Sequence, residues 1–227
     1  MPNSNSYIDK YTKDLAKSLS NIMIDLAKGK VPKKVTIFHE MIQSDLPDSE
    51  KYLRRLRDEA QTVIGAGLTT TAWSLTNGSF YVLDDPKVLE RLRKELWDAI
   101  PDIHAPDAFA YSKLENLPYL RGCVREGIRL SLGVSARNPR LWPTPLEYEQ
   151  WVIPPGVPVS MTTCDVHFNK DLYPKPTEFV PERWLGNPKA PDGSSMERYF
   201  VPFGKGPRQC LGIKYVSFVY FPCPTSY

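Results

Sequence analysis

The chain has 227 residues, with 29 Lys and Arg against 26 Asp and Glu, a net charge of +3. That balance is too slight to argue for nucleic acid or an anionic membrane surface. The length provides for one large domain, or two small ones, with a sizeable core, which makes a multi-module chain the poorer reading.

Four cysteines (Cys123, Cys164, Cys210, Cys223) lie far apart with no Cys-x-x-Cys pair, so a reducing compartment is expected. The polar opening MPNSNS does not resemble a signal peptide, and no apolar run approaches the roughly 18 residues a bilayer requires. This chain is not expected to span a membrane by itself.

Apolar residues at Ile8, Tyr11, Leu15, Leu19, Ile22, Met23 and Leu26 follow helical spacing, with Gly29 and Pro32 as the stop. A short helical segment is expected through Phe38 to Ile42. Asp48 then reads as the N-cap of a long helix with a buried stripe of Leu53, Leu56, Ala60, Val63, Ile64, Gly67 and Leu75, ending near Asn77 with Gly78 as stop. Its interior stretch GAGLTTTAW holds two glycines and three threonines, which cost about 2 kcal/mol of helix propensity. Close packing against another helix is the expectation for the glycines.

In DDPKVLERLRKELWDAI, Asp85 is the N-cap, Pro86 the first helical residue, and Leu89, Leu92, Leu96 and Ala99 share one face up to Pro101. Another helix starts at Pro118, carries Leu120, Val124 and Ile128, and ends near Gly133. YEQWVIPPGVPVSMTT predicts a hairpin of two β-rich runs around Pro155-Gly156. From Asn169 to Tyr199 prolines and glycines dominate and predict irregular loop. The 22 prolines, nearly all after residue 85, fit a helical first half and a loop-rich second half.

The densest stretch is FGKGPRQCLG, Phe203 to Gly212. Its glycines permit dihedrals closed to other residues, and Pro207 sets a bend. Taken alone, Cys210 reads as a small packed hydrophobe, and a disulfide half or a metal thiolate stay open beside that. In VREGIRL, Glu126 and Arg129 are three apart on one helix face, a spacing common to solvated surface pairs. Pro181-Glu182-Arg183-Trp184 alone reads as a proline-started turn. His167 is assigned a structural part, since the three histidines show no ligand spacing.

Taken together and in order, these motifs resemble the haem-thiolate monooxygenases, the cytochrome P-450 family. Phe203-x-x-Gly206-x-Arg208-x-Cys210-x-Gly212 is similar to that family's axial-ligand signature, and the matches run from about Tyr7 to Gly212. The resemblance implies a mainly α fold with small β-sheets, and a haem whose iron takes the Cys210 thiolate. It implies that Phe203, Gly204 and Gly212 shape the ligand loop, that Arg208 and Arg137 hold the haem propionates, and that Val134 to Ala136 face substrate. Glu126, Arg129 and Arg183 become a structural network, and Ala66 and Gly67 leave room for ligand. Thr70 becomes the oxygen-handling threonine, and Thr69 stands where the family usually has an acid.

The function implied is insertion of one atom of O2 into an apolar organic substrate, with electrons from an NADPH-dependent cytochrome P-450 reductase. FVPERWLG, YFVPFGKGPRQCLG and LPYLRGCVREGIRLSLG look most like fungal microsomal members of secondary metabolism. Full-length relatives of that kind sit at the endoplasmic reticulum membrane, facing the cytoplasm. The chain resembles roughly the C-terminal half of the family, residues 1–212, without its anchor, early propionate-binding helix or most of its substrate roof. The resemblance implies a long helix beneath the haem after Gly212, but the tail 213–227 is rich in β-branched and aromatic residues, is broken by Pro222 and Pro224, and is expected to be out-of-family sequence without that helix. The rival readings are an inactive fragment or pseudoenzyme unable to hold haem, and a haem-thiolate isomerase or dehydratase.

Overall fold

The computed structural model describes residues 4–220, with side chains from residue 10 to residue 216. The expected Ile8 side chain, Pro222, Cys223 and Pro224 lie outside the described residues. The chain divides into two compact units, residues 1–69 and 70–227.

The first unit contains α1 (Ser4–Ala27), α2 (Ile37–Gln43) and the first half of α3 (Leu53–Asp84). Gly29 follows α1 with φ +70°, the left-handed conformation a helix stop calls for. Leu19, Leu56 and Ala60 form the buried centre, with Leu15, Met23, Phe38, Met41 and Ile42 packed around them. Gln61 ties α3 to α1 by donating from Nε2 to Thr12 Oγ1 at 3.0 Å.

Two expectations for this region are corrected. Asp48 does not cap the long helix: Asp48–Glu50 is a single 3-10 turn, closed by the Lys51 N–H on the Asp48 carbonyl at 3.0 Å, and α3 begins at Leu53. The expected stripe is fully buried only at Leu56 and Ala60, whereas Leu53, Val63 and Ile64 are exposed. The residues of α1 and α2 in this core meet α3 only at its first turns.

In the second unit α3 runs on through Gly78 to Asp84, so glycine does not stop it. Gly78 is buried, and a Cβ on Gly127 would come within 2.9 Å of its Cα. The helix penalty of about 1 kcal/mol for glycine is offset by this backbone approach. Asp85 caps α4 (Pro86–Ala99), its Oδ1 accepting from the Lys87 and Val88 N–H groups. A short α5 (Tyr111–Leu114) and then α6 (Pro118–Ser131) follow. Val88, Leu92, Tyr119 and Cys123 make the core between α4 and α6, and Leu132, with φ +59°, ends α6.

The sheet has two antiparallel strands, β1 (Leu146–Tyr148) and β2 (Trp151–Ile153), with Tyr148 paired to Trp151. The hairpin therefore turns at Glu149-Gln150, Glu149 taking φ +50°, and not at Pro155-Gly156. Pro154 and Pro155 have no N–H to donate to a ladder and end β2. The second expected run forms only an isolated bridge, Val159 with Arg140, before α7 (Thr163–His167).

The region from Asn169 to Tyr199 is mostly irregular, with 3-10 turns at Pro181–Trp184 and Met196–Arg198. Tyr173, Trp184, Ala190 and Met196 give it a core of its own. Only the expected lack of a helix after Gly212 is corrected: Ile213–Tyr220 form α8, since no proline lies between Gly212 and position 222 to break the ladder. Among the described residues no helix is long and apolar enough to cross a membrane.

Candidate functional site

Helix α6 starts at Pro118 because proline loses nothing at a first-turn position, and because Glu95 of α4 caps it. The two Glu95 oxygens accept from the Tyr119 and Leu120 N–H groups, each at 2.8 Å. This capped start sets the helix phase that turns Glu126 and Arg129 inward, where both side chains are 0% exposed.

Five N–H groups converge on the Glu126 carboxylate. Oε1 accepts from Arg129 Nη2 at 2.8 Å, Arg183 Nε at 2.8 Å and the Val180 amide at 3.1 Å. Oε2 accepts from Arg129 Nε and Trp184 Nε1, both at 2.9 Å. Arg129 spends its other donors on the carbonyls of His167 (2.8 Å), Pro176 (2.7 Å) and Glu178 (3.3 Å), and its guanidinium lies 5.1 Å over the Tyr173 ring. Arg183 Nη2 donates to the Pro174 and Lys175 carbonyls. Removing charges from water is costly, and this many hydrogen bonds offset that cost. One carboxylate thus fastens α6 to the turn at Pro181–Trp184 and, through Arg129, to the strand of loop before it.

The loop from Val201 to Gly212 is built on backbone bonds. The Gly204 N–H donates to the Val201 carbonyl at 3.1 Å, Gln209 N–H to Gly206 at 3.0 Å, and Cys210 N–H to Phe203 at 2.9 Å. Gly204 and Gly206 take φ of +68° and +79°, which no side-chain-bearing residue adopts cheaply. A Cβ at Gly212 would lie 3.7 Å from Cys210 Sγ, so its absence leaves the flank of the sulfur open. Cys210 is exposed, as are Arg208 and Leu211, while Phe203 is half-buried. Cys123 is the contrast: buried in the α4/α6 core, its thiol is pushed up to about 12, chiefly by burial and then by the charges of Glu182 and Glu95.

Val134 to Arg137 are exposed beside this loop's stem, where Gly133 approaches the Pro202 carbonyl and Thr162 Oγ1 donates to the Ser135 carbonyl at 2.8 Å. On α3, Ala66, Gly67 and Thr69 close the first unit and Thr70 opens the second. The next residue, Thr71, is buried, and its hydroxyl meets no hydrogen-bond partner among the described residues. The structure therefore joins Glu126, Arg129 and Arg183 at one carboxylate, and Phe203, Gly204, Arg208, Cys210 and Gly212 in one loop. Among the described residues, no group of three or more His, Cys, Asp or Glu side chains converges as a metal site.

Sequence reasoning missed Trp184 and His167 as partners. A tryptophan directly after Arg183 was the available signal, since a buried indole N–H needs an acceptor. His167 is 0% exposed, its Nε2 accepts from the Val201 N–H at 3.1 Å, and burial followed by the Arg129 charge lowers it to about 4.

Comparison with known proteins gives the context for this arrangement. The cytochrome P-450 family model matches residues 5–214. The chain is 57% identical over 181 residues to cytochrome P-450 monooxygenase sdnE of Sordaria araneosa, covering 78% of this chain and 34% of that protein. It is 43% identical over 197 residues to cytochrome P-450 monooxygenase orf4 of Eupenicillium brefeldianum, covering 86% and 38%. It is 39% identical over 211 residues to the fusicoccadiene C-8 hydroxylase of Alternaria brassicicola, covering 92% and 39%. The chain thus spans between a third and two fifths of the length of these relatives. Its helical fold with a small two-stranded sheet accords with the family match, which covers most of the chain and, by family, implies haem: this chain belongs to the cytochrome P-450 family.

Proposed function

We propose that this chain carries the haem-thiolate part of a monooxygenase, in which the Cys210 thiolate would hold the haem iron. The observation that carries the reading is the exposed Cys210 sulfur on a loop of left-handed glycines, with the Gly212 flank open. A cysteine that merely packed would resemble Cys123, buried and held protonated. The donor chemistry fits haem: one soft sulfur for iron, an exposed apolar Leu211 beside it, and guanidinium groups at Arg208 and Arg137 for carboxylates.

Bound haem supplies the oxygen-activating redox chemistry. The chain's residues hold and orient it. Cys210 would lose its proton to bind as thiolate, and hydrogen bonds from loop amides would tune the sulfur. Arg208 and Arg137 would hold the propionates. Thr70 would pass protons on the oxygen side, Ala66 and Gly67 would leave space for ligand, and Thr69 stands in place of the acid expected before Thr70. The Glu126, Arg129 and Arg183 cluster keeps the loop region docked on α6.

The overall reaction is insertion of one atom of O2 into an apolar organic substrate while the other leaves as water, with two electrons from an NADPH-dependent reductase and two protons. The monooxygenase and hydroxylase names of the relatives support oxygen insertion, and their fungal sources accord with secondary metabolism; the reductase and an endoplasmic reticulum location of the full-length protein are our own assignment from the family resemblance. We assign residues 1–212 to the catalytic domain and 213–227 to a separate tail. A spliced transcript encoding this tail would count against that division. The test of the ligand is the carbon monoxide difference spectrum of the chain reconstituted with reduced haem. A red-shifted thiolate-type Soret band, lost in Cys210→Ala, is expected; a chain that takes up no haem, or an unchanged band in Cys210→Ala, overturns the assignment.

A further inference from the structure

We infer that His167 is the positioning residue through which the buried Glu126 cluster sets the geometry of the Cys210 loop; this rests on the reading of Cys210 as the haem ligand. The path is a short series of hydrogen bonds. Glu126 holds the Arg129 guanidinium, and Arg129 Nη1 donates to the His167 carbonyl at 2.8 Å. The imidazole of the same residue accepts the Val201 N–H at Nε2, 3.1 Å away. Val201 in turn accepts Gly204 N–H, and Phe203 accepts Cys210 N–H at 2.9 Å. His167 is thus gripped by its backbone on the α6 side and grips the loop stem by its ring.

The ring is held for this role. It stacks on Phe200 at 22° and meets Tyr173 edge-on at 84°, both with centroids 6.0 Å apart. An Nε2 that accepts from an amide carries no proton, so the neutral ring bears its proton on Nδ1. A proton on Nε2 would set two donors against each other and release Val201. Burial and the Arg129 charge, which lower the group to about 4, keep the ring neutral at pH 7, and the Val201 N–H selects the tautomer with a free Nε2 lone pair. Any apolar side chain in that slot would leave the Val201 N–H without an acceptor, so packing alone does not account for histidine here.

The first measurement needs no substitution. In the chain with 15N-labelled histidine at pH 7, imidazole shifts should report His167 with an unprotonated Nε2 and an Nδ1–H; an Nε2–H tautomer overturns the proposal. The second uses His167→Phe and His167→Gln, the latter keeping a side-chain acceptor. Hydrogen exchange at the Val201, Gly204 and Cys210 amides should quicken by about five- to ten-fold in His167→Phe, the equivalent of one net hydrogen bond, and recover towards the original in His167→Gln. The fraction of bound haem showing the thiolate band should follow the same order. Exchange and band both unchanged in His167→Phe would overturn the proposal. If His167→Phe does not fold, the tautomer still decides it. If the unsubstituted chain shows no thiolate band, the ligand reading fails while the tautomer and exchange results still judge the loop anchor.

Discussion

Replacing Glu126 by glutamine changes one oxygen to NH2 and removes one charge, with almost no change in volume. Placed at Oε1, the NH2 would face Arg129 Nη2, Arg183 Nε and the Val180 amide; placed at Oε2, it faces only Arg129 Nε and Trp184 Nε1. The second orientation is the less costly, yet it still sets two donors against a donor. Arg129, fully buried, then has no carboxylate beside it. Hydrogen bonds to charged groups contribute roughly 1.5–3 kcal/mol each, and stripping one partner from a buried ion pair costs about 3–5 kcal/mol. We expect Glu126→Gln to lose about 3–5 kcal/mol, a large share of the roughly 5–15 kcal/mol a domain possesses.

Urea unfolding followed by tryptophan fluorescence reads this directly, because Trp184 sits at the same carboxylate. Asp98→Ala is the internal control: its pair with Lys94 has side chains 67% and 75% exposed, and its loss should cost under about 0.5 kcal/mol. A Glu126→Gln chain within about 1 kcal/mol of the control would refute the claim that this carboxylate holds the unit together.

The helix glycines separate by what a methyl group would meet. Gly127→Ala, with Gly78 Cα 2.9 Å from the new Cβ, should lose about 1–3 kcal/mol, whereas Gly65→Ala meets nothing within 4 Å and should gain about 1 kcal/mol, both read as shifts in urea midpoint. His167 gives a pH dependence. With an ordinary value of 6.5 and a folded value of about 4, the unfolded chain binds the proton first, so stability present above about pH 6.5 is lost as pH falls towards 4, by about 3 kcal/mol in all. Urea midpoints between pH 7 and 4 should show this slope, and His167→Gln should flatten it. At pH 8 iodoacetamide should label the exposed Cys210 and leave the buried Cys123 untouched, as peptide mass mapping would show.

Local signals along the chain carried the elements whose cause is local. Asp85 followed by Pro86, and Pro118 followed by a helical apolar pattern, start helices because an N-cap and an N1 proline act within one turn. The glycines of the Cys210 loop likewise announce a backbone that other residues cannot follow. Gly78 misled because its helix penalty is a local quantity, while the contact with Gly127 that offsets it comes from a helix 49 residues later. The hairpin moved to Glu149-Gln150 because strand register is chosen by the ladder, which prolines 154 and 155 cannot extend.

Sequence by itself determined that Glu126 and Arg129 share a helix face, that an arginine follows in a proline-led turn, and that Cys210 stands in a glycine loop. These are matters of helical period and backbone freedom. Burial was left undetermined, since the same Glu-x-x-Arg spacing serves a solvated surface pair. Only the tertiary structure closed Val180, Arg183 and Trp184 over the carboxylate and brought His167 to Val201 across 34 residues. Desolvation and hydrogen-bond satisfaction depend on what surrounds a group in space, and no spacing along the chain specifies that.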